Sequence, residues 1–215
     1  TILSVGRERG PAGGSILQRW TLSGALSGTL AVAPWVTDNG GGSIGLDAAD
    51  NVYVAVTANA GDILIRRYNP ALVPLWTDLH DSGGEDIAGQ HMDCRPTGEL
   101  FVAGATFGLL WDGFARRYSP AGPPASWTNL DLGNPDNDYT YAIAALPDGG
   151  AVAVGMDKHV VGNIDIAVQR FSSTGALIGS DLVDAGFTDV ATAVAVDATG
   201  FYVGGMIGSA AAGGT

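Results

Sequence analysis

Apolar residues in this chain come in short runs. VYVAV (52–56) ends on Val, and LFVAG (100–104), AVAVG (151–155) and FYVGG (201–205) end on Gly. Between them stand alternating segments such as DILIRRY (62–68) and DGFARRY (112–118), in which every second side chain shares a face. Nowhere do apolar residues keep an i, i+3, i+4, i+7 register over three turns, and Gly or Pro interrupts almost every window of ten. The pattern predicts strands throughout and no helix.

The runs also repeat. An arginine followed by an aromatic residue recurs as Arg19-Trp20, Arg67-Tyr68, Arg117-Tyr118 and Arg170-Phe171, in steps of 48, 50 and 53 residues. A second marker keeps the same order and period: LSVG (3–6), VYVAV, LFVAG, AVAVG and FYVGG. Self-similarity at a fixed period decides the architecture before any single element does. Within the period 86–137, segments 87–94, 100–106, 112–119 and 125–132 read as four strands. The joints between first and second strands are turn dipeptides, Asp50-Asn51, Thr97-Gly98, Asp148-Gly149 and Thr199-Gly200, suited to tight hairpins.

Each period is therefore an antiparallel four-stranded meander with two apolar faces, neither of which it can bury alone. Such units at this spacing are the signature of β-propeller blades. The expected fold is all-β, one propeller domain over 1–215, with repeats at about 1–38, 39–85, 86–137, 138–186 and a partial 187–215, giving four to five blades. TYAIAAL (140–146) and VATAVAV (190–196) carry the small side chains a crowded axis asks for. Trp35, Trp76 and Trp127 fall at matching outer places, with Leu182 in that region of the fourth repeat.

An aspartate precedes the arginine by five residues at Asp62/Arg67, Asp112/Arg117 and Asp165/Arg170, with Gly14 at that place in the first repeat. An odd separation sends the two side chains of one repeat to opposite faces, so any partnership runs between neighbouring blades. A repeated ionic or hydrogen-bonded tie would fix blade register, with Trp20, Tyr68, Tyr118 and Phe171 filling the wedge between sheets. The alternative is a ring of Asp side chains at one mouth that holds a cation or ligand.

The valine-glycine strand, the Gly-rich link, Asp-(x)4-Arg-aromatic and the closing Ser/Asn-Pro or Ser-Thr-Gly of DILIRRYNP, DGFARRYSP and DIAVQRFSSTG resemble the bacterial delta-sixty and seven-bladed-propeller repeat families. The resemblance covers essentially the whole chain. It implies a propeller within a large exported or surface-associated bacterial protein, with a protein or carbohydrate partner at the cell surface. It carries over no catalytic residue. The first repeat departs from it, with QRW and no Asp.

Strand counting gives 17, beginning and ending on a second strand. Three closures follow: a four-bladed ring with 190–196 completing the N-terminal blade, five blades with one irregular, or a window of a longer array. The start on Thr1, without Met or a leader, reads as a processed chain or a fragment.

Composition narrows the function. With 46% apolar and 15% charged residues the chain folds. A net charge of −12 opposes nucleic acid and anionic membrane surfaces, and no apolar stretch is long enough for a transmembrane helix. Cys94, the single cysteine, allows no intramolecular disulfide. His80, His91 and His159 fall at different kinds of place, and His91 with Cys94 lacks two further zinc ligands. Nucleophile-elbow, P-loop and dinucleotide fingerprints are missing.

Asp81 and Glu85 in HDSGGED (80–86), and Asp136 and Asp138 in NPDNDY (134–139), are the metal candidates, for Ca²⁺, although the spaced loop pattern of a calcium hand is lacking. No other cofactor is expected. Trp111, in a Gly-Leu-Leu-Trp-Asp link, is the candidate for stacking on a ligand. The reading is a non-catalytic binding or assembly module, secreted or surface-displayed. A propeller lyase or hydrolase with a divalent ion at its axial mouth is one alternative; the other is a structural subunit that self-assembles through open blade edges.

Overall fold

A computed structural model describes residues 2–8, 14–34, 42–58, 61–130, 137–160 and 163–208. They form 18 strands in five sheets, every strand pairing is antiparallel, and no helix occurs among them. The first sheet is β1 (Ile2–Glu8), β2 (Gly14–Trp20) and β3 (Leu26–Pro34). The second is β4 (Gly42–Leu46), β5 (Val52–Thr57), β6 (Ile63–Tyr68) and β7 (Pro74–His80). In the third, β8 (Asp86–Ala88) and β9 (Asp93–Cys94) share one flank of β10 (Leu100–Phe107), followed by β11 (Trp111–Ser119) and β12 (Gly122–Leu130). The fourth is β13 (Asp138–Ala145), β14 (Ala151–Val160), β15 (Asn163–Phe171) and β16 (Leu177–Val183). The fifth has only β17 (Asp189–Val196) and β18 (Phe201–Ile207).

Eighteen strands stand where 17 were expected because 87–94 is not one strand. After Ala88 the backbone turns to the next sheet: the amides of Gln90 and His91 both donate to the carbonyl of Tyr141, at 2.8 and 3.2 Å. The four-bladed closure is also corrected. Segment 190–196 does not complete the first sheet; β17 pairs with β18 and lies against β13, β14 and β15.

Alternation along each strand explains why the sheets stack. In β5, Val52, Val54 and Val56 face the first sheet, where they meet Leu17, while Tyr53 and Ala55 face Leu100, Val102 and Phe114 of the third. In β10 and β14 the pattern continues, with Phe101 and Ala103 against Ile143 and Ala153, and Val152 and Val154 against Ala191. The core is thus four apolar seams, one between each pair of consecutive sheets. Both faces of an inner sheet are removed from water, which is why its second strand is buried over 52–57, 100–106 and 151–155 and carries almost only apolar side chains there.

The expected turns place their left-handed residue at Asp50 (φ 59°), Gly98 (86°) and Gly149 (88°). Around 197–200, Asp197 supplies the turn instead. Its Oδ1 accepts from the Thr199 amide and hydroxyl and from the Gly200 amide, and these bonds hold its pKa near 2.

Candidate functional site

The repeated arginine crosses the seams. Arg19 donates to the carbonyl of Pro70 at 2.6 Å, Arg67 to that of Pro120 at 2.7 Å, and Arg117 to that of Ser173 at 2.8 Å. Each acceptor lies in the turn between third and fourth strands of the following sheet. The tie was expected between Arg and the recurrent Asp; the cross-sheet partner is a backbone carbonyl instead. The carboxylates that pair with these arginines belong to their own sheet: Asp47 with Arg67 at 3.0 Å, and Glu99 with Arg117.

The aromatics occupy the wedge. Tyr118 stacks on Trp76 with centroids 5.6 Å apart, and Phe171 meets Trp127 at 5.7 Å. Tyr68 is buried, and the Trp20 indole donates to the Ser4 hydroxyl at 3.0 Å. Pairing sets Trp76 opposite Arg67 and Trp127 opposite Arg117. At the same register the first sheet has Gly28 opposite Arg19, and the fourth has Gly179, not Leu182, opposite Arg170. Trp35, expected at that place, lies outside the described residues, and so does Asp136.

The recurrent Asp residues gather elsewhere, where the hairpins between second and third strands meet the links between sheets. Asp62 joins Asp81 and Asp86, and Asp165 joins Asp184 and Asp189; within each group the carboxylate oxygens lie within 4.8 Å of one another. Asp86 and Asp189 are buried and already hold backbone donors, from Ser82 at 2.9 Å and from Ala185 at 2.7 Å. Burial, and then the neighbouring Asp81 and Asp86, push the Asp62 pKa up. Counted at one oxygen each, three carboxylates supply about half of the six to eight oxygen ligands that Ca²⁺ takes, the rest of which come from bidentate binding, backbone carbonyls and water in such sites. Asp112 sits at the equivalent place of the third sheet, opposite Thr106, and the segment after β12, 131–136, lies outside the described residues. Asp138 is buried and accepts from the Lys158 amide at 3.3 Å, and Glu85 lies over Gly61.

Beside the first of these groups runs a polar network that sequence reasoning missed. Arg116 donates to His80 Nδ1 at 2.8 Å and faces Asp78 at 3.5 Å, while the Tyr118 hydroxyl donates to Asp78 at 2.6 Å. His80 Nε2 lies 4.0 Å from Asp86. Burial and the Arg116 guanidinium lower the His80 pKa, so the ring is neutral. The unfolded chain takes up the proton near pH 6.5, and the folded protein only at lower pH. His80 therefore contributes stability above pH 6.5 that is lost as the pH falls. The urea midpoint is expected to drop between pH 7 and pH 5, and to drop less in His80→Phe; equal slopes in the two proteins would remove His80 from the account.

Trp111 is half-buried at the start of β11, in a row of rings: Phe107 and Tyr139 each lie 5.2 Å from it, and Tyr141 stacks on Tyr139 at 5.9 Å. Its neighbours are the protein's own rings; the residue fully exposed at that hairpin tip is Leu109. His91 is exposed, Cys94 is partly buried with its pKa raised to about 12 by burial, and the His159 side chain is outside the described set. The signal that could have found the acidic groups is D-x-G-x-x-D, at Asp81–Asp86 and again at Asp184–Asp189.

No family model matches the chain, and no curated protein matches it. Its fold is similar to the crystal structure, at 1.35 Å, of a protein of unknown function from Bacteroides caccae, with 13% identity and a TM-score of 0.57. The likeness covers 89% of this chain but 64% of that one, so the chain spans about two thirds of the solved structure's length. Nothing in this likeness points to catalysis.

Proposed function

We propose that the chain is a run of β-propeller blades serving as a non-catalytic binding and assembly module, with the fifth sheet as its docking face. The observation that carries this is the fourth arginine. Arg19, Arg67 and Arg117 each reach a turn carbonyl in the next sheet; Arg170, at the same register, is exposed. The ground beside it is apolar. Tyr202, Met206 and Ile207 of β18 are 63%, 57% and 62% exposed, and a cleft of about 490 Å³ opens between Val168 and Val183 on one side and Val203 and Ile207 on the other.

At the second seam the third and fourth strands of the following sheet cover this ground, with Phe114, Tyr118 and Ala125, and at the third seam Phe171 and the turn at Gly175 do so. The fitting occupant is therefore a hairpin of that kind from a further repeat, whose turn carbonyl accepts from Arg170. The third-strand arm of that hairpin would pair along the edge of β18 that no described strand occupies, as strand addition does elsewhere. Placement at a bacterial cell surface rests on the repeat resemblance alone.

Sedimentation of the 215-residue protein over a wide concentration range tests the reading, because an exposed edge beside an apolar face drives association. Concentration-dependent association, lost in the double variant Val203→Asp/Ile207→Asp, is the expected result. A wild-type monomer at every concentration would contradict it.

A further inference from the structure

The first seam differs from the second and third in a way that leaves a hole. In the second seam Tyr53 of β5, opposite Arg67, is fully buried under that guanidinium, 5.3 Å from ring centroid to Cζ, and its hydroxyl donates to the Gly98 carbonyl at 3.1 Å. In the third seam Phe101, opposite Arg117, holds the same seat at 5.7 Å. Trp76 and Trp127 stand edge-on to these rings, at 6.1 and 6.2 Å. Each filled seam thus contains a T-shaped aromatic pair beneath an arginine.

Both members of the pair are missing from the first seam. Leu3 is the residue opposite Arg19, and Gly28 stands at the tryptophan register with nothing within 4 Å of where a Cβ would be. A cleft of about 280 Å³ results, lined by Leu3, Arg19, Leu46, Asp50, Val52 and Pro70. Leu46, which forms part of its wall, is 48% exposed, although Cys94, at the corresponding place of the second seam, is partly buried. The Arg19–Pro70 bond still spans the seam beside the cleft, as its counterparts do in the two filled seams.

We propose that this cleft binds a small phenol. Its aliphatic walls and the Arg19 guanidinium suit the face of a planar ring, as in the two filled seams. Asp50 occupies the turn place of Gly98, so its carbonyl is the acceptor for the ring hydroxyl. The size is adequate, since an apolar cavity of about 150 Å³ already takes benzene. The proposal is independent of the docking face on the fifth sheet, at the other end of the stack.

The test is a titration with 4-methylphenol, read on the methyl resonances of Leu3, Leu46 and Val52. Saturable shifts are expected. Leu3→Tyr and Gly28→Trp fill the cleft from the protein's own chain, and each should weaken binding at least tenfold while raising the unfolding temperature. Blocking the hydroxyl, with 4-methylanisole as the probe, should weaken binding about five- to tenfold, the share of one hydrogen bond. Shifts that never saturate, or binding that survives unchanged in both filling variants, would overturn the site; equal binding of the two probes would overturn the role of the Asp50 carbonyl.

Discussion

Trp127→Ala is expected to lower the stability of the protein by about 3–5 kcal/mol, the usual cost of emptying a buried aromatic site. Trp127 is 9% exposed and lies at the third seam, between Phe101 and Phe171, with Gly175 of the next sheet directly over its ring. Removing it opens, in a filled seam, the same gap that Gly28 leaves in the first. Trp127→Phe should cost much less, under about 1.5 kcal/mol, because a ring remains and the indole N–H it discards makes no hydrogen bond. Chemical denaturation of the two variants side by side separates the cases. The account fails here if Ala and Phe cost the same.

Gly155→Ala is the second large effect, at about 3 kcal/mol, the upper end of the overpacking range. A Cβ at Gly155 would meet the Tyr139 carbonyl oxygen closer than any real contact, because β13 bulges between Thr140 and Ala142 and brings that oxygen over β14. Gly205 meets Val190 in the same way, across the bulge in β17. This gives the recurrent valine-glycine marker its physical reason: the glycine makes room for the bulged first strand. Gly6 carries the same marker in a sheet that shows no such bulged strand beside it among the described residues, and nothing lies within 4 Å of it. Gly6→Ala should therefore be neutral or slightly stabilising, by up to about 1 kcal/mol, since Ala is the better strand residue. Urea midpoints for the pair decide it; a Gly6→Ala variant as damaged as Gly155→Ala would sink the explanation.

The sheet order was legible because period and alternation are properties of sequence alone. Val52, Val54 and Val56 could be assigned to one face and Tyr53 to the other without coordinates, and the stacked seams follow from that. Partners were not legible. The odd spacing of Asp62 and Arg67 suggested a partnership between neighbouring sheets, but the acceptor of Arg67 is the carbonyl of Pro120, and no side-chain pattern encodes a carbonyl. The break between β8 and β9 was hidden for a related reason, since it depends on the Tyr141 carbonyl, some fifty residues further along the chain. Which residue stands opposite each arginine depends on bulges after Arg19, Arg67, Arg117 and Arg170, which shift register by less than sequence alignment can resolve. The acidic groups bring together a hairpin and a link from different sheets, so their members were seen singly, as Asp62 and Asp81, and not as a set.

The central claim is that the fifth sheet is half of a repeating unit and that its open face is where the module docks. An experimental structure of the 215-residue protein at near-physiological concentration, read for what lies against β18 and Arg170, tests this most directly. The account predicts an antiparallel strand from another sheet along the outer edge of β18, with a turn carbonyl at hydrogen-bond distance from the Arg170 guanidinium. A β18 edge open to water beside a solvated Arg170, or a β17 that has left β18 to complete the first sheet, would contradict it.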